Sequence, residues 1–178
     1  MVPLDKDNCR QPAGGPPKEV RTSTKLSSIL DEKLVLCRMK ARTKHDAIDE
    51  LSSLVAAREP KLGKDSIVKS VLDRERECTT AIGRGCAFPH ATMPGLERMI
   101  VALGISETGI DFDSLDGAPV NFIVLILTAA TASVEYLRTL AAFASLSRDP
   151  EKVAVILRAK SPADVLGAIN SLGITVES

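Results

Sequence analysis

Gly83-Arg84-Gly85-Cys86-Ala87-Phe88-Pro89-His90 is the stretch from which the rest of this chain can be read. Its two glycines remove side chains where a backbone must come close to an anion, and they leave N–H groups able to face it. Pro89 narrows the backbone just before His90 and lowers the entropy lost in holding that ring in one pose. The chain has two histidines, His45 and His90. Imidazole is the side chain that is both basic and nucleophilic near neutral pH. The stretch suggests a phosphate site with His90 at its centre; a tight turn beside a packed histidine uses the same letters.

Outward from it, the chain alternates helical and strand patterns. Upstream, Leu34-Val35-Leu36-Cys37 is a short apolar run suited to a strand. Thr43 offers a helix cap, and Ala47, Ile48, Leu51, Leu54 and Val55 then share one face of a helix ended by Pro60. Asp65 is the expected cap of a second helix, with Ile67, Val68, Val71 and Leu72 inward, running to about Arg76. Downstream, Met99 to Ile105 and Phe122 to Thr128 are apolar without clean alternation, as strands buried on both faces are. Ser114-Leu115-Asp116-Gly117-Ala118-Pro119 between them is turn chemistry that returns the chain in a hairpin. Val134, Leu137, Leu140, Ala141, Ala144 and Leu146 predict the inward face of a third helix, and Arg148-Asp149-Pro150 separates it from a fourth carrying Val153, Ile156 and Leu157. Ser161, with Pro162 and Asp164, starts a last helix that stops near Gly173. The pattern predicts an α/β fold: a three-layer α/β/α sandwich with a small mixed β-sheet flanked by helices.

Residues 1–24 hold Pro12, Gly14, Gly15, Pro16 and Pro17 with little to bury, which predicts a flexible leader ahead of one domain over 25–178. With 178 residues, 44% of them apolar, the chain is long enough for one well-buried core. The 23 basic and 23 acidic residues cancel, so overall charge favours neither nucleic acid nor an anionic membrane surface. The longest apolar run, Phe122 to Leu127, is far below the roughly 20 residues of a membrane span. Cys9, Cys37, Cys78 and Cys86 lack paired spacing, and no signal peptide is visible, so reduced thiols in a cytoplasmic protein are expected.

The longer run from Asp73 through Arg74-Glu75-Arg76 and Thr80-Ala81-Ile82 to Pro89-His90 resembles the active-site segment of the type-2 IIA domains of the bacterial phosphotransferase system, the mannitol, fructose and nitrogen-regulatory class. The likeness continues in register through Phe112-Asp113-Ser114-Leu115-Asp116-Gly117-Ala118-Pro119-Val120 and Glu135-Tyr136-Leu137-Arg138-Thr139-Leu140, covering roughly Leu26 to Ile169. It implies that His90 accepts a phosphoryl group from the carrier HPr or its nitrogen-branch analogue, attacking through Nε2, with no metal or organic cofactor. The family arginine sixteen residues before that histidine falls on Arg74, implied to clamp the phosphoryl oxygens. A guanidinium suits that task because it stays charged and forks onto two oxygens.

Two positions depart from the family pattern. Where the family often carries a second histidine, this chain has Tyr136 after Glu135, and a phenol cannot present a protonatable imidazole. The residue after the active histidine, commonly glycine, is Ala91. The missing second histidine leans toward a regulatory member over a sugar-transport relay that hands phosphate to a IIB component of a permease. Downstream partners then include a kinase, a transporter or a transcription factor; a non-catalytic binding module is the third reading.

Around His90, Gly83, Gly85, Tyr136 and Glu135 are expected near the phosphate, while Phe88, Ala87 and Met93 suit an apolar docking surface for the carrier. Arg84 and Arg138 are candidates for added positive potential, although solvated surface arginine is the commoner outcome. His45 is expected on a solvated helix surface. Cys78, Cys86 and His90 lack the second close ligand pair of a structural zinc site.

Overall fold

The computed structural model describes residues 23–129 and 133–177. A central mixed sheet carries the site. Its two long strands, β6 (Ile100–Ile110) and β7 (Val120–Thr128), pair antiparallel. Beyond β6 lies β2 (Val35–Leu36), in parallel. On the far side of β7, β4 (Cys86–Ala87) and β5 (His90–Thr92) follow one another along the same strand, both parallel to it. The edge strand β3 (Ala81–Gly83) pairs antiparallel with β4. A separate ribbon joins β1 (Ser23–Lys25) to β8 (Thr175–Glu177) near the two ends of the described chain. The expected leader, residues 1–24, lies outside the described residues except for Ser23 and Thr24, which belong to β1.

Alternate residues of β7 face opposite layers, because successive strand side chains point to opposite faces. Ile123, Leu125 and Leu127 pack with Ile48, Leu51, Ile67 and Val71 of α1 (Lys44–Arg58) and α2 (Lys64–Glu77). Phe122, Val124 and Ile126 pack with Phe143, Ile156, Val165 and Ile169 of α3 (Ser133–Ser147), α4 (Pro150–Leu157) and α5 (Pro162–Ser171). β7 is therefore buried on both faces, as its unbroken apolar run predicts, and the three layers are α1–α2, sheet, and α3–α5. Each large apolar side chain so buried contributes roughly 1.5–3 kcal/mol. No helix among the described residues is long and apolar enough to cross a membrane.

The helix ends follow their local chemistry, with one correction. The Thr43 hydroxyl accepts from Asp46 N–H, and Glu59, out of helical conformation at φ −124° and ψ 77° ahead of Pro60, closes α1. Ser161 and Asp164 form a reciprocal capping box, and Gly173, with φ of 63°, turns the chain out of α5. Asp65, expected as a cap, sits instead inside the first turn of α2, where its charge meets the positive end of the helix; Gly63 holds the cap position.

α3 is rotated from its predicted face. Thr139, Ala142, Phe143 and Leu146 are buried, whereas Val134 and Leu137 are exposed. Phe143 decides the rotation, since its ring lies 6.3 Å from Phe88 and 6.4 Å from Phe122, and no small residue of the helix can fill that volume.

Gly83 and Gly85 build the tight turn between β3 and β4, with φ of 94° and 72°. A Cβ on Gly83 would stand 2.7 Å from the Asp116 carboxylate. That carboxylate accepts the Arg84 N–H, the Ser114 hydroxyl and the Ala118 N–H, which hold it down at about 2. The turn thus locks the 111–119 loop onto the sheet edge. Gly83→Ala is expected to destabilise the protein by about 1–3 kcal/mol in urea unfolding, through backbone strain and the displaced carboxylate. Unchanged stability, or a site defect in the folded variant, would overturn this structural role.

Candidate functional site

His90 opens β5 beside Ile126, at the end of β7 where the sheet runs out between α2 and α3. A cleft of about 400 Å³ lies there, lined among others by Ser70 and Arg74 of α2, His90 and Thr92 of β5, Thr128 of β7, and Tyr136 and Leu137 of α3. Four separate elements converge on it, which is why no single stretch of sequence encodes it.

The His90 ring is half-buried, and its Nδ1 stands 3.0 Å from the Phe88 carbonyl oxygen. A carbonyl can only accept, so Nδ1 carries the proton and the lone pair rests on Nε2. Burial pushes the ring below the ordinary histidine value of about 6.5, and the Arg74 charge pushes the same way; the Phe88 bond and the Glu75 charge pull against them. The imidazole is thereby kept neutral, with its basic nitrogen unprotonated near pH 7.

Arg74 projects from the last turns of α2. Its guanidinium makes one long bond, 3.4 Å to the Cys78 carbonyl, and a loose pair with Glu77 at 3.8 Å. Most of its N–H groups are uncommitted and can take an anion in the cleft. The Tyr136 ring stands 5.3 Å from the His90 ring, inclined by 43°. Burial raises the Tyr136 phenol and Arg74 opposes that rise, so it remains a neutral donor at the cleft wall.

The structure therefore brings together His90, Arg74 and Tyr136, and it separates other expected residues from them. Gly83 and Gly85 lie in the β3–β4 turn against Asp116 and Asn121 and do not line the cleft, because the segment read as one loop is divided into strands. Glu135 and Arg138 are exposed on α3 and line no part of the cleft. Arg84 donates to the Arg148 carbonyl at 3.0 Å. Phe88, Met93 and Ala87 are core residues, 2%, 1% and 0% exposed, so they offer no docking surface. The apolar group that lines the cleft and faces outward is Leu137, and Val134 is exposed one turn earlier on α3. Cys86 is buried, its thiol raised to about 11 by desolvation, while Cys78 and His45 are exposed. Among the described residues, no group of three or more histidine, cysteine or acidic side chains is placed to hold a metal.

One buried residue was not anticipated. Glu75 is 5% exposed and forms hydrogen bonds with the Thr80 N–H and hydroxyl. A signal for it exists in the sequence: Ile67, Val71 and Glu75 follow at intervals of four, which places a carboxylate on the inward stripe of α2.

A neutral, tautomerically fixed imidazole shares its cleft with an arginine at the end of the sheet of a three-layer α/β/α domain, and the class of protein is a small α/β domain with a basic nitrogen beside a guanidinium. The particular family follows from comparison. Residues 28–172 match the family model described as phosphoenolpyruvate-dependent sugar phosphotransferase system, EIIA 2, and the chain belongs to that family. It is 31% identical over 147 residues to a nitrogen regulatory protein of Bradyrhizobium diazoefficiens, covering 83% of this chain and 95% of that one. It is 32% identical over 119 residues to a fructose-specific EIIA component of Haloferax volcanii, covering 67% and 79%. The crystal structure of nitrogen regulatory protein IIA-Ntr from Neisseria meningitidis superposes with a TM-score of 0.76 at 23% identity, covering 82% of this chain and 99% of that one. The expected fold is therefore the observed one, and the protein is a type-2 EIIA domain.

Proposed function

We propose that this EIIA domain accepts a phosphoryl group on Nε2 of His90 from phospho-HPr or a nitrogen-branch analogue, and that its role is regulatory. The bond from Nδ1 to the Phe88 carbonyl carries the reading, because it leaves Nε2 as the basic atom of a ring that lines the cleft. The Nε2 lone pair forms the N–P bond as the bond between phosphorus and the carrier breaks, its electron pair leaving with the carrier. Nδ1 keeps its proton, donated to the Phe88 carbonyl oxygen. Arg74 holds the oxygens on which charge is spread in a loose transition state, and the Tyr136 hydroxyl supplies a neutral donor. Exposed Leu137 and Val134 form an apolar lip for brief, reversible docking of the carrier.

The regulatory role is supported by Tyr136 at the place of the second family histidine, and by relatives named nitrogen regulatory proteins. A phosphorylated His90 would add negative charge to this lip and change which partner it fits, whether kinase, transporter or transcription factor. The second reading, a relay to a sugar-specific IIB component, is favoured by the likeness to a fructose-specific EIIA.

The test is incubation with labelled phosphoenolpyruvate, enzyme I and either HPr or its nitrogen-branch analogue, followed by addition of a fructose- or mannitol-type IIB. Acid-labile, base-stable label is expected, formed faster from the nitrogen-branch carrier and retained when IIB is added. Rapid loss of label to IIB would replace regulation with relay, and absence of label from both carriers would overturn the proposal.

A further inference from the structure

Glu75 is a buried charged residue that the phosphoryl-transfer chemistry does not use. Its carboxylate accepts the Thr80 N–H at 3.2 Å and the Thr80 hydroxyl, and the Lys44 ammonium of α1 stands 3.7 Å away. Lys44 is itself fixed by the Asp113 carboxylate at 2.9 Å and lies over the Phe112 ring, 5.6 Å from its centre. Thr80 in turn is bound to the strand that ends in His90: its carbonyl accepts the Phe88 N–H at 3.1 Å, and the Phe88 carbonyl accepts His90 Nδ1–H at 3.0 Å. Three consecutive links thus lead from Glu75 to the imidazole, and Arg74 is the residue directly before Glu75 on α2.

Stability alone is a poor reason for such a group. A buried ion pair recovers its desolvation penalty only with good geometry, and apolar packing of equal volume is often as stable. Ile67 and Val71, on the same face of α2, show the apolar solution one and two turns earlier. What an apolar residue cannot do is grip the Thr80 N–H and hydroxyl together and so fix the backbone between α2 and the His90 strand. From this connectivity we propose that Glu75 is a positioning residue for phosphoryl transfer: through Thr80 and Phe88 it holds the His90 ring in one tautomer and one place relative to Arg74. The proposal rests on the reading of His90 as phosphoryl acceptor, but its effect on the ring can be measured without phosphate.

The test compares the full chain with Glu75→Gln, Glu75→Asp and Thr80→Val, in two measurements. In the first, the His90 ring nitrogens are followed by NMR through a pH titration. Wild type is expected to show one tautomer with Nδ1 protonated. Glu75→Gln is expected to show a mixture, and a ring that protonates at lower pH, because the nearby negative charge is gone. In the second, kcat and KM for the phosphorylated carrier are measured. Glu75→Gln is expected to lose about tenfold to a hundredfold in kcat with KM within twofold, as a small misplacement of reacting groups does. Glu75→Asp should recover part of the loss. Should Glu75→Gln fail to fold by circular dichroism, Thr80→Val, which removes only the hydroxyl link, decides with a smaller change of the same sign. A single Nδ1–H tautomer and wild-type kcat in the folded variants would overturn the positioning role. An unlabelled wild type would overturn the function instead, leaving the tautomer measurement to judge Glu75.

Discussion

Replacing His90 with Asn is expected to abolish labelling from phosphoenolpyruvate, with no acid-labile phosphate above background, while the protein stays folded. Asparagine keeps a short amide N–H able to donate toward the Phe88 carbonyl, so the local bond is mimicked and the nucleophilic nitrogen is lost. The other histidine cannot substitute, since His45 is exposed on α1 and does not line the cleft. The unfolding cost should stay near 1 kcal/mol, the worth of one hydrogen bond. The pH profile carries the same signature. Protonation blocks Nε2, and His90 is held below the ordinary value of about 6.5, so the wild-type rate should be flat through pH 7 and fall only at lower pH. Stability moves in the same sense. The unfolded chain binds the proton more readily than the folded one, so stability at His90 is lost as pH falls through about 6.5, a slope that His90→Asn should remove. Label that persists on His90→Asn would place the acceptor elsewhere.

The second large effect belongs to Arg74. Arg74→Ala is expected to slow phosphorylation by about a hundredfold to a thousandfold, with thermal stability within about 0.5 kcal/mol of wild type. The small stability effect follows from its weak attachments, one long bond to Cys78 and a loose pair with Glu77. The large kinetic effect follows from the charge that phosphoryl transfer spreads over three oxygens, which a fixed guanidinium can meet with two parallel N–H bonds. Arg74→Lys should fall between, since a point charge replaces part of the potential but not the fork. The measurement is the initial labelling rate at saturating carrier. A rate within threefold of wild type for Arg74→Ala would remove Arg74 from the reaction.

The order of stability and kinetic effects separates this site from its scaffold. Gly83→Ala should weaken the fold and leave the folded molecules competent, because the turn it strains is remote from the cleft. Arg74→Ala should do the reverse. Glu75→Gln should act on both, since its carboxylate belongs to the packed interior and its hydrogen bonds lead to the ring.

Much of this molecule was legible from local patterns wherever an element is long enough to show its period. α1, with Thr43 at its start and Pro60 beyond its end, and α5, with its Ser161–Asp164 box, follow from residues a few positions apart. β7 announces its burial on both faces through six consecutive apolar residues. The short strands β3, β4 and β5 were not legible, since two or three residues cannot display a period of two, and the glycine-rich stretch that contains them reads as a loop. α3 carries apolar residues around most of its circumference, and only the Phe143 volume against Phe88 and Phe122 selects the buried side. That rotation is what exposes Leu137 and Val134 and turns Tyr136 to the His90 ring.

The amino-acid order by itself determined most helix ends, the doubly buried strand and the family pattern, and it was the family resemblance that pointed to Arg74 and His90, sixteen residues apart, as partners. Which expected neighbours share the cleft was decided only in three dimensions. Gly83, Gly85, Phe88 and Met93 are close to His90 in sequence and are spent on a turn and on the core, whereas Tyr136 and Thr128 arrive from distant strands and helices. The physical reason is that a site at the end of a sheet is assembled by the strands that terminate there. Chain proximity sets only which residues can be close, and packing sets which of them face the same space.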